Sequence, residues 1–116
     1  MIKTLDEVIE YLTDELKKED KVQDFLIQRH AMLHMKFGMA IRNHFKLWDE
    51  NNPLLLDIRE KMIADGNNPD TWWIKNYGHY EDYTPPYPLH ADDASGYILR
   101  ILREKLTQWI ITKMNS

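Results

Sequence analysis

An all-α fold, a compact bundle of about four helices with one long aromatic and proline-rich irregular loop, is the architecture this sequence predicts. Three observations predict it. Apolar residues recur at three- and four-residue steps over most of the chain. Capping residues stand where those patterns begin. Proline and turn chemistry gathers in one stretch, residues 67–89. With 116 residues, 43% of them hydrophobic, the chain has the size of a single domain spanning residues 1–116.

The first helix is expected over about 4–18. Thr4-Leu5-Asp6-Glu7 has the form of a capping box, and Leu5, Val8, Ile9, Leu12 and Leu16 then line one face. A break near Asp20-Lys21-Val22-Gln23 leads into a long helix over about 24–47. Its predicted core stripe is Leu26, His30, Leu33, Phe37, Ala40, Ile41, His44 and Trp48. Asn52-Pro53 reads as an N-cap followed by proline at the first helical position, which opens a short helix over about 53–65. Gly66 supplies its left-handed stop. In residues 67–89, Pro85, Pro86 and Pro88 block regular structure and Gly78 punctuates the middle. The last helix, about 91–114, starts at His90-Ala91-Asp92-Asp93 and buries Ala94, Tyr97, Ile98, Ile101, Leu102, Leu106, Trp109, Ile110 and Met114.

Charge and composition narrow the function classes. Cysteine is absent, which excludes disulfide scaffolds and thiolate zinc sites. Lys and Arg number 15 against 19 Asp and Glu, and the net charge of -4 sits in residues 1–24, whose eight acids face four lysines. No basic cluster is present to follow a phosphate backbone, so nucleic acid is not expected as a partner. The start shows no signal-peptide pattern and no run is apolar enough for a membrane span, so a cytoplasmic location is expected.

Three groups of residues are candidates for function. The first is aromatic: Trp72, Trp73, Tyr77, Tyr80, Tyr83 and Tyr87 place six of thirteen aromatic residues in the predicted loop. Trp and Tyr join a large apolar body to a polar tip, the chemistry of binding hot spots, although such rings also serve to cover a small core. The second is His30 and His34, four apart on one helix and thus able to reach one zinc ion. The intervening Ala31, Met32 and Leu33 lack the general base of a metalloprotease helix, which favours core histidines; no metal and no other cofactor is expected. The third joins Arg42 and Asn43 to His90, Asp92 and Asp93. Asp92 and Asp93 favour the positive end of the last helix, Arg42 offers a planar fork able to clamp one of them, and Asn43 is placed to cap carbonyls where its helix ends.

The stretch containing Arg42, Asn43, Leu47 and Trp48, followed later by His90, Asp92, Asp93, Ser95, Ile98 and Leu99, resembles a family of small bacterial domains of unknown function. Members of that family carry Arg-Asn ahead of Leu-Trp and His-Pro-Asp-Asp-x-Ser at a helix start. The likeness covers roughly residues 30–106, with Ala91 in place of the proline and a longer stretch between the motifs. It implies a compact helical fold and no established activity.

The function expected from these features is that of a non-enzymatic protein-binding or accessory domain, such as an inhibitor or immunity-type protein. Two alternatives stay open. One is a small-ligand or metal-assisted hydrolase built on His44, His90, Asp92, Asp93 and Ser95. The other is a structural domain that forms a homo-oligomer through Met32, Met35 and Met39.

Overall fold

Thr4 opens the first helix by accepting the Glu7 amide on its hydroxyl at 3.2 Å, while Glu7 Oε1 takes the Lys3 amide and the Thr4 hydroxyl. Those bonds hold the Glu7 carboxyl below its usual range, the Thr4 hydroxyl contributing most. The computed structural model describes residues 2–49, 51–67 and 89–115, without the side chains of His30, Ala31 and His34. Five helices lie within them: α1 (Leu5–Lys18), α2 (Val22–Ile27), α3 (His30–His44), α4 (Pro53–Ala64) and α5 (Ala91–Met114). The fold class is all-α. No helix among the described residues is long and apolar enough to cross a membrane.

The single long helix expected over 24–47 is two helices. Gln28 and Arg29 adopt extended backbone, with ψ of 143° and 147°. The reason is tertiary. Phe25 and Phe37 meet edge to face with ring centroids 5.3 Å apart, whereas twelve residues of unbroken helix would separate them by about 18 Å. Turning the chain at Gln28-Arg29 folds α2 back so that Phe25 is buried beside α3. Arg103 Nη2 of α5 donates to the Leu26 carbonyl at 3.4 Å, so one carbonyl freed by the break has a partner.

α5 is the central element, packing against α1, α2, α3 and α4. Its Ala94, Ile98 and Leu106 are fully buried, together with Val8 of α1 and Ile58 of α4. A second tie joins α1 to α4: the Leu5 amide donates to Asp57 Oδ2 at 2.6 Å, which satisfies one of the free amides at the start of α1.

Three helices end in the same way. The amide of Lys21 donates to the Leu16 carbonyl, that of Leu47 to Arg42 and that of Asn67 to Met62, each across a residue of positive φ. This is the Schellman arrangement. Gly66, at φ 86°, adopts it freely, but Asp20 at 56° and Lys46 at 55° carry a Cβ where that backbone costs energy. Replacing Lys46, an exposed residue, by glycine is therefore expected to stabilise the domain by about 0.5–1 kcal/mol. Urea denaturation would show this as a raised midpoint with an unchanged slope.

The face that α3 buries is turned away from the predicted stripe. Leu33, Gly38, Ile41, Arg42 and the following Phe45 are buried, whereas Ala40, His44 and Trp48 are exposed. Glycine and arginine carry no hydrophobic signal, yet at four-residue spacing they share the buried side, so a stripe drawn through apolar residues alone points too far round.

Candidate functional site

Arg42 is the charged residue around which the polar groups of α3 and α5 gather. Only 7% exposed, it lies on α3 one turn after Gly38. A Cβ built on Gly38 would come within 2.9 Å of Arg42 Nη1, so the guanidinium occupies the space that any other residue there would fill. From this seat Nη1 donates to Ser95 Oγ at 3.0 Å and lies 3.3 Å from Asp92 Oδ1. Ser95, fully buried, passes its own hydrogen to the Asp92 carbonyl at 3.1 Å. Arg42 Nε is buried with no hydrogen-bond partner among the described residues.

The start of α5 supplies the other half. His90 is the N-cap, and its Nδ1 accepts the Asp92 amide at 3.1 Å. That bond requires an unprotonated Nδ1, so the imidazole is the Nε2–H tautomer when it caps. Asp92 and Asp93 occupy the first turn, where carboxylates favour the helix dipole.

The predicted residues are thus partly brought together. Arg42, Asp92 and His90 form one chain of contacts with Ser95. Asn43, expected to cap carbonyls, instead accepts the Trp48 indole Nε1–H on Oδ1 at 3.2 Å. Carbonyl capping falls to Asn52. Its Nδ2 donates to the carbonyls of Phe45 and Lys46 at 2.7 and 3.1 Å, while its Oδ1 accepts the Leu54 amide, so one side chain ends α3 and starts α4. The hydrolase set is divided: His44 stacks on Tyr11 at 5.4 Å, its plane 17° from that ring, whereas His90 is engaged with Asp92. Trp72, Trp73, Tyr77, Tyr80, Tyr83 and Tyr87 lie outside the described residues, as do the side chains of His30 and His34. Among the described residues no group of three or more His, Asp or Glu is placed to hold a metal ion.

Two residues escaped the sequence reading. Gly38 had a signal, because a glycine inside a helix costs about 1 kcal/mol relative to alanine and so calls for a reason. Trp48 was assigned to the core, yet it is 57% exposed. Its indole lies over the Arg42 guanidinium, 5.6 Å from Cζ, and is fixed by Asn43. The result is a large exposed aromatic surface tethered at its Nε1 by one hydrogen bond.

On the far side of α5, Tyr97 ties the end of α4 through its hydroxyl, which donates to Asp65 Oδ2 and approaches the Lys61 carbonyl. Burial first, then the hydrogen bond to Asp65 and its negative charge, push the phenol up to about 12 from 10.0. A raised phenol pKa stabilises the protonated folded form, so its contribution is complete below pH 10 and is lost as pH rises toward 12. Between pH 10 and 12 the urea midpoint of the wild-type protein is expected to fall further than that of Tyr97→Phe, measured at each pH.

The family model described as "Domain of unknown function (DUF6794)" matches residues 3–68. The matched region takes in Gly38, Arg42, Asn43 and Trp48 and ends before His90. No curated protein and no solved structure matches the chain.

Proposed function

This chain belongs to the DUF6794 family, a domain of unknown function, and on that premise we propose that it is a non-enzymatic accessory domain that binds another protein. The observation that carries the reading is Trp48, exposed yet held by Asn43 and stacked on Arg42. Tryptophan leads the residues that anchor protein interfaces, and an indole already tethered by a hydrogen bond has less freedom to lose on binding. The polar network beneath it, in which Arg42, Ser95 and Asp92 engage one another, ties α3 to α5. A small domain acting on one larger partner, as an inhibitor or immunity-type protein does, is the form this role takes. The six aromatic residues of the 67–89 stretch belong to the same proposal by composition.

Affinity capture at physiological salt from the cells that make the protein, run beside Trp48→Ala, tests this. One specific protein is expected, bound at least about tenfold more weakly by the variant, with Trp73→Ala and Tyr80→Ala each costing more than about 1 kcal/mol. Failure to recover any specific partner would remove the reading. A second reading, assembly with other copies of the same chain, is favoured by the exposure of Met32, Met35 and Met39 on α3. Light scattering that shows a monomer at tens of micromolar disposes of it.

A further inference from the structure

α3 has apolar residues on two faces. Leu33, Ile41 and Phe45 enter the core, while Met32, Met35 and Met39 run along the outside at the three- and four-residue steps of a coiled-coil seam. Met35 is 67% exposed and Met39 56%. The row ends at Met39, because the next position, Arg42, is buried with its guanidinium turned to Ser95 and Asp92 of α5. Arg29, Lys36 and Asn43 follow one another at seven-residue steps along one flank of the row, and Arg29 and Lys36 are exposed. α3 contains no acidic residue in a chain that has 19.

We propose that this face of α3 is the docking site for an acidic amphipathic helix of a partner protein. The inference rests on the protein-binding reading above and names the chemistry of the partner. Methionine is unbranched and polarizable, and rows of it form adaptable seats for apolar helix faces. The fifteen residues of α3 span about 22 Å, the length of four helical turns. Apolar residues at a and d positions of the incoming helix would lie on Met32, Met35 and Met39, and its flanking Glu or Asp would meet Arg29 and Lys36. The acidic helix of a second copy does not supply this: α1 turns Leu5, Val8, Ile9 and Leu16 into its own core and so offers carboxylates without an apolar row. An outside helix carries both.

The test uses a labelled synthetic peptide of about three heptads, leucine at a and d with glutamate at e and g, and a matched peptide with lysine for glutamate. Fluorescence anisotropy with the full chain is expected to show the glutamate peptide binding at least about tenfold more tightly, with an affinity that falls as salt rises. Met39→Asp, at an exposed position, should weaken it at least about tenfold, and Lys36→Glu should shift the preference toward the lysine peptide. Circular dichroism verifies that both variants stay folded. Equal binding of the two peptides, binding of neither, or indifference to Met39→Asp overturns the proposal. So does a wild-type dimer that Met39→Asp converts to monomer, which assigns the face to a second copy. A Trp48-dependent partner that the glutamate peptide does not displace overturns this inference and leaves the functional reading standing. Capture of no partner ends both.

Discussion

Replacing Arg42 by alanine is expected to destabilise the domain by about 3 kcal/mol, a fall in melting temperature of roughly 10 °C or more for a chain of this size. Two losses add. The truncated side chain leaves an unfilled space between Gly38 and Ser95, and the Ser95 hydroxyl and Asp92 carboxylate lose their shared donor. Asp92 is about half exposed, so solvent takes over part of its charge and the cost stays at the low end for a broken buried pair. Arg42→Met separates the two losses. Methionine restores most of the volume and removes a guanidinium whose Nε has no hydrogen-bond partner among the described residues, so a cost below about 1 kcal/mol is expected. Urea unfolding of the three proteins measures this directly. Equal losses for alanine and methionine would mean that charge, and not packing, dominates at this position.

The second large effect lies one helical turn earlier. Gly38→Val is expected to cost about 3 kcal/mol, even though valine is the better helix former by propensity alone. The added side chain enters the space held by Arg42 Nη1, which a single Cβ would already approach to 2.9 Å. The guanidinium must then leave Ser95 and Asp92, the partners that hold it against α5. Gly38→Ala should be milder, because its gain in helix propensity of about 1 kcal/mol offsets part of the displacement. The two sites share one space, so the double variant Gly38→Val/Arg42→Ala should cost less than the sum of the singles by at least about 1 kcal/mol. Additive costs would show that the glycine serves something other than the arginine.

The parts of the fold that could be read in the sequence are those whose physics is local. Thr4, Asn52 with Pro53, Gly66 and His90 mark helix ends because the groups they satisfy lie within a few residues of each. The break at Gln28-Arg29 carries no glycine or proline and exists because Phe25 reaches Phe37. The left-handed turn at Lys46 is equally silent, since lysine does not announce that backbone, whereas the break at Asp20 is legible because aspartate favours turns. At the site, the pairing of Arg42 with a first-turn carboxylate is expected from charge and position, and the structure brings its Nη1 to 3.3 Å from Asp92 Oδ1 without a two-pronged clamp. The seat that Gly38 provides and the outward tether of Trp48 depend on which side of α3 faces α5. That side was misjudged because an arginine stands on it.

The dependence of four helices on α5 sets the order in which this molecule can form. Each of α1 to α4 packs on a segment that begins at residue 91, so the contacts that close the core join residues far apart in the chain. Such distant contacts slow folding relative to neighbouring-helix pairs, because the intervening chain must be ordered before the contacts repay it. During synthesis the first four helices emerge before their common surface does, so the burial of Val8, Leu33 and Ile58 is completed only when α5 arrives. The 3–68 stretch that marks the family is thus synthesised before the helix that closes its core.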